Sequence, residues 1–517
     1  MKIVTAEQMR QIDQSAADIG LTTEILMENA GRAVAEETKK LLGGIIGKHL
    51  LILIGPGNNG GDGLVAARYL EESGAEVCLY MCSKRSSEDK NFKLTRERNI
   101  NTINADEDKD FNGLDKYLAS SEAVIDAIFG TGRSRTIEGL IKQVLTKVIA
   151  AKEKRSELFI VAVDMPSGLD ANTGTVDTSC PDANATITLG YPKPGLYNFP
   201  GAERAGEIII ADIGIPPALA QDIVTELITE EQIRALLPAR PASANKGTFG
   251  KVLVVAGSIN YIGAAYLACM GAARVGAGLV TLSTAKSLQP ILASKLTEVT
   301  YEPLPETSIG IISSEATLVL QKQLRNYNVL LMGCGLGQNV EVRKFIKATL
   351  LPPSPVQSIP LVLDADALNT LAQMPQWWQK LGKDVILTPH PGEMARLTGV
   401  PIDKIQQERL GIAQKSAVEW QKVVVLKGAY TIIAAPDGQT RISQAANAGL
   451  ASAGTGDVLT GVIAGLIAQG LSPFDAASCG VYLHAQAGNL ARQEMGDAGM
   501  LASDLLPKLP LAIKRLR

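Results

Sequence analysis

Apolar positions along the chain recur at two spacings, and the switch between them marks out the predicted elements. Thr5-Ala6-Glu7-Gln8 reads as a capping box, and Met9, Ile12, Ala16 and Ile19 follow at helical spacing, which predicts an amphipathic opening helix. A second helix is predicted from about Thr23 to Leu42. Short apolar runs then take over: Leu50 to Ile54, Glu76 to Tyr80, Ala123 to Ile128, Phe159 to Val163, Ala185 to Leu189 and Glu207 to Ile210. Helical stretches separate them. Strands that are apolar on both faces belong in a parallel sheet covered by helices.

The prolines of Gly214-Ile215-Pro216-Pro217 and Leu237-Pro238-Ala239-Arg240-Pro241 interrupt this rhythm, and a domain boundary is predicted near residue 225, giving domains 1–225 and 226–517. The alternation resumes at Lys251 to Val255, Leu279 to Leu282, Val329 to Met332, Pro360 to Leu363, Val385 to Leu387, Val423 to Leu426 and Thr431 to Ala434. The two longest late helices are predicted to begin near Asp457 and Pro473, and no repeat period links the halves. The fold class is therefore α/β twice over, each half a parallel-rich sheet.

Composition narrows the function without naming it. With 517 residues, 46% hydrophobic and 20% charged, the chain has ample material for two cores. Lys+Arg 50 against Asp+Glu 53 leaves a formal charge of −3, which offers no electrostatic footprint for nucleic acid or an anionic membrane. Cys78, Cys82, Cys180, Cys269, Cys334 and Cys479 are too scattered for a disulfide framework and read as reduced thiols. The N-terminus turns polar after four residues and no apolar run is long enough to span a bilayer, so the cytoplasm is the expected location. A homo-oligomer is compatible with this composition.

Chemistry gathers at strand ends. After the Leu50 to Ile54 strand comes Gly55-Pro56-Gly57-Asn58-Asn59-Gly60-Gly61-Asp62-Gly63, with a helix predicted from Leu64. Strand, glycine-rich turn and helix start form an anion-binding arrangement; a plain tight turn is the competing reading. Asp126 to Gly132 and Asp164 to Gly168 put further aspartates where a parallel sheet opens to ligands, with helix capping as the alternative. Asn59, Asp126 and Ser167 offer oxygen ligands for a hard cation.

In the second half, Ala453-Gly454-Thr455-Gly456-Asp457 places two glycines and a carboxylate at the start of an apolar helix. Backbone N–H groups there can hold a transferring phosphoryl group while Asp457 takes a proton from the attacking hydroxyl; a capped helix start is the bland alternative. Lys427 follows a strand and offers a cation for nucleotide phosphates, or is solvated. His390 also sits at a strand end, whereas His49 and His484 have no comparable surroundings in the sequence. Asp364 and Asp366 in Asp364-Ala365-Asp366-Ala367-Leu368 could hold magnesium or substrate, or cap a helix.

The set GPGNNGGDG, VIDAIFGTG and VAVDMPSGLD, with Gly190-Tyr191-Pro192-Lys193-Pro194-Gly195, resembles the YjeF N-terminal family of NAD(P)H-hydrate epimerases over roughly residues 1 to 220. The resemblance implies a Rossmann-like fold. By it, Asn58, Asn59, Gly60, Gly61 and Asp62 contact the nucleotide, as do Gly130, Thr131, Gly132, Arg133, Ser134, Arg135 and Thr136. It also implies that Asn59, Asp126 and Ser167 bind potassium and that Asp164 is the acid/base. Lys193 is a weaker carry-over, since a lysine between prolines is also what a solvated turn contains.

GSINYIGAA, GCGLG, DADAL, TPHPGE, LKGAYT and NAGLASAGTGDVLTG resemble the ribokinase-like superfold, and within it the YjeF C-terminal family of ADP- or ATP-dependent NAD(P)H-hydrate dehydratases, over roughly residues 230 to 517. This implies that Ala264, Gly337, His390 and Asp457 contact the hydrate. Lys427, Gly428, Ala429, Tyr430, Thr431 and Gly456 would hold the adenine nucleotide, with Mg2+ as cofactor. Ala453 stands where other members have a second glycine, a change expected to be tolerated.

Together the resemblances imply metabolite repair: phosphorylation of the hydrate's hydroxyl, with ADP as donor, lets the ring nitrogen expel it, while the first domain interconverts the epimers. The alternatives are a vitamin or sugar kinase with a regulatory domain, or a first domain that only binds, as related folds do in RNA-decapping scaffolds.

Overall fold

The computed structural model describes residues 1–132, 136–352 and 354–517. Contacts divide it into two compact units, Met1–Ile223 and Val224–Arg517.

The first unit is built on a seven-stranded sheet in which every pairing is parallel. Its strands are β1 (His49–Ile54), β2 (Glu76–Met81), β3 (Asn101–Asn104), β4 (Ala123–Ala127), β5 (Phe159–Val163), β6 (Ala185–Leu189) and β7 (Glu207–Ala211), in the order 3-2-1-4-5-6-7. Side chains of β1 alternate between two cores: Leu50, Ile52 and Ile54 join Val34 and Leu64 on one face, Leu51 and Leu53 join Val144 and Ile160 on the other. That double burial is what made these strands readable as apolar runs. The edge strand β3, Asn-Thr-Ile-Asn, has no such run and does not appear in the hydrophobic pattern.

The opening helix Ala6–Asp18 carries the capping box read from its sequence, with Thr5 accepting from the Gln8 N–H and the Gln8 side chain from Thr5 N. The helix after β1 departs from expectation: it runs Asn58–Glu72, so it starts six residues before Leu64. A Cβ at Gly63 would lie 2.6 Å from Ala127 Cβ, and one at Gly61 would lie 2.5 Å from Met27 Sδ. These glycines are helical because only a bare backbone lets the helix start press onto its neighbours. That packing outweighs a helix penalty of about 1 kcal/mol per glycine.

The second unit has a ten-stranded sheet in the order β11-β10-β9-β14-β15-β16-β17-β18-β19-β8 and a separate β12-β13 pair. The strands are β8 (Thr225–Leu227), β9 (Lys251–Val255), β10 (Leu279–Ala285), β11 (Thr300–Leu304), β12 (Glu306–Ser308), β13 (Ile311–Ile312), β14 (Val329–Met332), β15 (Leu361–Leu363), β16 (Val385–Leu387), β17 (Val423–Leu426), β18 (Ile432–Ala434) and β19 (Thr440–Ile442). From β11 to β17 the pairings are parallel; β18 is antiparallel to both β17 and β19, and β8 runs parallel to β19. The strands missed in the sequence are short or polar, and β11 carries Pro303 at the sheet edge, where proline costs no ladder bond.

Helix Thr455–Ala468 lies against helix Ile262–Arg274. A Cβ at Gly271 would stand 2.5 Å from Val458 O, and one at Gly465 would stand 2.7 Å from Ala272 O, so glycines permit the close crossing that anchors the GTGD start. Pro473–Met495 is the longest helix, but Ala502–Arg515 matches the 455–468 helix at 14 residues, its internal Pro507 and Pro510 having hidden it in the sequence. Among the described residues no helix is long and apolar enough to cross a membrane. All six cysteines are buried, free thiols.

Candidate active sites

In the first unit the strand order reverses between β1 and β4, the place where an open parallel sheet leaves a crevice at its carboxyl edge. A cavity of about 560 Å³ opens there, lined by residues 56–59 after β1, 128–132 after β4, Asp164 after β5 and Lys193 after β6. Asp164 adopts a left-handed backbone at φ 64°, a conformation costing about 1 kcal/mol that aspartate tolerates better than most residues. Its Oδ1 accepts from Leu189 N at 3.2 Å and from the Lys193 ammonium, and its Oδ2 from Thr131 N at 3.3 Å. Lys193 is 1% exposed, so the solvated-turn reading of this residue is wrong. Two flanking prolines gave no hint of a buried ion pair.

Two further carboxyl groups reach the same cavity. Asp62, on the second turn of the 58–72 helix, is held well above the usual carboxylate range by burial and then by Asp164 and Asp13. Asp13, on the opening helix, is pushed up to about 6, chiefly by burial. It belongs to no glycine-rich motif, and only the folded chain brings it here.

Behind the cavity, Asp126 is buried and fixed by Ser167 N at 2.8 Å, Ser167 Oγ at 2.7 Å and Ile128 N at 3.2 Å. A Cβ at Gly130 would lie 3.0 Å from both Asn59 Oδ1 and Asp164 Oδ2, so Asn59 and the Gly130 loop meet at the same edge. Asn59 Nδ2 is buried without a hydrogen-bond partner, and burial raises Asp126. A donor set of amide, carboxylate and hydroxyl oxygens suits a hard cation, which would offset that buried charge. Gly130, Thr131 and Gly132 line the cavity, while Thr136 lines an adjoining one of about 200 Å³. Arg133, Ser134 and Arg135 lie outside the described residues.

In the second unit, Gly454 begins the 455–468 helix at φ 90°, a conformation that suits glycine, and has no side chain to cap the first turn. Open N–H groups at a helix start form an anion site. Asp457 on that turn is half-buried and pushed up to about 7, by burial first and then by Asp364, while a hydrogen bond with the Cys334 thiol opposes the rise. A carboxyl poised near neutrality can accept a proton at physiological pH.

Beside it, Asp364 caps its helix through Ala365 N at 2.8 Å and also accepts from Lys427 Nζ at 2.7 Å and Thr460 Oγ1 at 2.7 Å. Lys427 is not solvated: it is held between Asp364 and, at 3.8 Å, Glu393. A Cβ at Gly456 would lie 3.3 Å from Lys427 Nζ, which places that ammonium directly beneath the helix start. Asp364 thus has protein donors on both oxygens, and Asp366 accepts from Gly337 N at 2.7 Å and Gln338 Nε2 at 2.8 Å. Among the described residues no cluster of three or more His, Cys, Asp or Glu side chains could cage a metal.

His390 starts the helix Pro391–Thr398, its Nδ1 accepting from Gly392 N at 3.0 Å, while Glu393 Oε2 accepts from His390 N at 2.8 Å. Burial and Lys427 lower the histidine. Glu393, itself pushed up to about 7 by burial, was quoted within TPHPGE without a role. Ala264 packs under the GCGLG loop, where a Cβ at Gly335 would come within 2.7 Å of its own Cβ. The Gly428–Thr431 turn closes on itself through Thr431 Oγ1 to Gly428 O at 2.7 Å, with Tyr430 at φ 52°. Ala429 lies within that turn. Arg409, unmentioned in the sequence reading, donates to Leu426 O and Lys427 O at 3.2 and 3.3 Å and holds the turn from behind.

His484 reverses its sequence reading. It is buried, bonds Thr455 O at 2.9 Å through Nε2, and is lowered to about 4 by burial. It therefore supports the helix start as a neutral ring.

Residues 252–511 match the family model described as NAD(P)H-hydrate dehydratase, and residues 23–195 match the model described as YjeF-related protein N-terminus. The chain is 42% identical over 524 residues to the bifunctional NAD(P)H-hydrate repair enzyme of Moorella thermoacetica, covering 100% of this chain and 97% of that one. It is 36% identical over 527 residues to the enzyme of the same description from Thermofilum pendens, covering 100% and 97%. Among solved structures, the ADP/ATP-dependent NAD(P)H-hydrate dehydratase of Bacillus subtilis, co-crystallised with ATP and Mg2+, is 36% identical, covering 56% of this chain and 99% of that chain with a TM-score of 0.48.

Proposed function

This chain belongs to the family of bifunctional NAD(P)H-hydrate repair enzymes, and from that premise we propose how its residues divide the work. The first unit epimerises hydrated NAD(P)H, and the second dehydrates the S epimer back to NAD(P)H. The observation that carries the second assignment is one carboxyl, Asp457, poised near pH 7 on an uncapped helix start with a half-buried, ion-paired ammonium, Lys427, below it.

The hydroxyl of the hydrate sits on the ring carbon beside nitrogen and is a poor leaving group. Asp457 takes its proton as its oxygen attacks the terminal phosphorus of ADP, and AMP departs. The open N–H groups of the first helical turn hold the negative charge on the phosphoryl oxygens. The ring nitrogen then expels phosphate, and loss of a proton from the neighbouring carbon restores the dihydronicotinamide. In this reading Ala264, Gly337 and His390 contact the hydrate, and the Lys427–Thr431 turn with Gly456 holds the nucleotide. Asp364 and Asp366 have their oxygens bonded to protein donors, so the nucleotide phosphates would hold Mg2+, whose charge would offset theirs.

In the first unit Asp164 is the acid/base. Asn58 to Asp62 and the loop from Gly130 to Thr136 bind the nucleotide, and Asn59, Asp126 and Ser167 would hold potassium, whose charge offsets that of buried Asp126. We place the reaction in the cytoplasm, where six free buried thiols remain reduced. A kinase with a regulatory partner domain is the weaker reading, because the first unit has its own formed cavity with an ion-paired carboxylate.

The test is to give the full chain S-NADH hydrate with ADP, ATP or neither, and to follow the nicotinamide absorbance and the nucleotide products. ADP should yield NADH, AMP and phosphate together. No NADH with either nucleotide would refute the dehydratase assignment.

A further inference from the structure

Among the described residues, the cavity of the first unit is lined by more carboxyl groups than cations. Asp13, Asp62 and Asp164 all line it, against Lys193, which is bonded to Asp164, and Arg10, which pairs with Glu7 at 3.0 Å. Arg85, the other cation acting on Asp62, is committed to Asp89 at 2.9 Å and to the carbonyls of Gly55 and Gly57 at 2.9 and 3.2 Å. Asp62 is 7% exposed, and among the described residues no donor reaches its carboxyl group. A carboxyl group with no protein donor and beside two other carboxyl groups is pushed towards its protonated form, here by burial first and then by Asp164 and Asp13. Asp164, with an ammonium and two backbone N–H groups, has opposite surroundings. Two carboxyls with opposed environments in one cavity divide acid from base.

We propose that Asp62 is the proton donor of the epimerisation and Asp164 the acceptor, and that the hydrate inverts by losing and regaining its hydroxyl. The proposal rests on the epimerase reading of this unit. Asp62 passes its proton to the hydroxyl oxygen as the carbon–oxygen bond breaks, the oxygen keeping the bonding pair and leaving as water. The ring-nitrogen lone pair forms the new carbon–nitrogen double bond, and Asp62 is left ionised. Water then adds to the opposite face, the double-bond pair returns to nitrogen, and the extra proton goes to Asp164. Solvent carries that proton back to Asp62. The intermediate is a cation, and among the described residues three carboxyl groups line the cavity against two cations, Lys193 and Arg10, a balance that favours it; the ring-opened alternative is neutral and would draw nothing from that excess.

Two measurements on the full chain test this. Asp62→Asn preserves the side chain's size and should lower epimerase kcat/KM about 100-fold or more, erase the alkaline limb of its pH profile, and leave dehydration of the S epimer unchanged. Asp13→Asn, which removes a like charge facing Asp62, should move that limb to lower pH. Wild type working in oxygen-18 water should place solvent oxygen in each inverted molecule. Asp62→Asn within about threefold of wild type, or inversion with the original oxygen retained, would overturn the proposal. Wild type that dehydrates the S epimer yet never interconverts the two would remove the epimerase reading itself, and the proposal with it.

Discussion

Two helix starts, Asn58 in the first unit and Thr455 in the second, are built from the same parts and used differently. Each follows a glycine N-cap with no side-chain cap, and each has an aspartate in its first turns and an ion-paired lysine nearby, Lys193 buried and Lys427 half-buried. In the first, Lys193 bonds the carboxylate that we read as the base, Asp164, and the helix aspartate, Asp62, is left without a donor. In the second, Lys427 bonds a neighbour, Asp364, and we read the helix aspartate itself, Asp457, as the base. The ammonium pairs with the proposed base in one unit and with the base's neighbour in the other. A motif of glycines and one aspartate is therefore insufficient to assign chemistry until the lysine's partner is known.

Substitutions can break this contrast. Asp457→Asn should have the largest effect, lowering NADH formation about a thousandfold or more while leaving epimer exchange intact, as seen by NADH absorbance and by resolving the epimers. Asp164→Asn should slow epimer exchange by about 100-fold or more and spare dehydration of the S form. Lys193→Met should act on folding as well, because it leaves a buried carboxylate unpaired; a loss of about 3 kcal/mol in the first unit's denaturant stability is expected.

The pH profiles sharpen it further. Asp457 acts only when ionised, and burial with Asp364 nearby has pushed it up to about 7, so dehydratase kcat/KM should fall about tenfold per unit as pH drops below that value. Epimerase kcat/KM should instead fall on the alkaline side. Ala453→Gly should change dehydration by no more than about a factor of two, since Ala453 is exposed and lies outside the anion-facing turn.

Much of the framework was legible because strands buried on both faces read as apolar runs, and because Thr5 and Gln8 spell a capping box within four residues. What escaped did so for identifiable reasons. Edge strand β3 has a polar outer side, and Pro507 and Pro510 disguise a late helix. The helix over Asn58–Gly63 looks like a turn because its glycines answer to Met27 and Ala127, distant in sequence. Lys193, His484, Cys334 and Asp13 meet the partners described above only across many residues, and no local spacing encodes such a partner. The glycine motifs mark where the sites lie; the tertiary charge pairing supplies the proton assignments.

The most direct test of the division of labour uses an equal mixture of R- and S-NADH hydrate with excess ADP, comparing wild type, Asp164→Asn and Asp457→Asn by NADH recovered, with time short enough that uncatalysed exchange is negligible. Wild type should return the whole mixture as NADH, Asp164→Asn only the S half, and Asp457→Asn none. Full recovery by Asp164→Asn, or recovery by Asp457→Asn at the wild-type rate, would contradict the account.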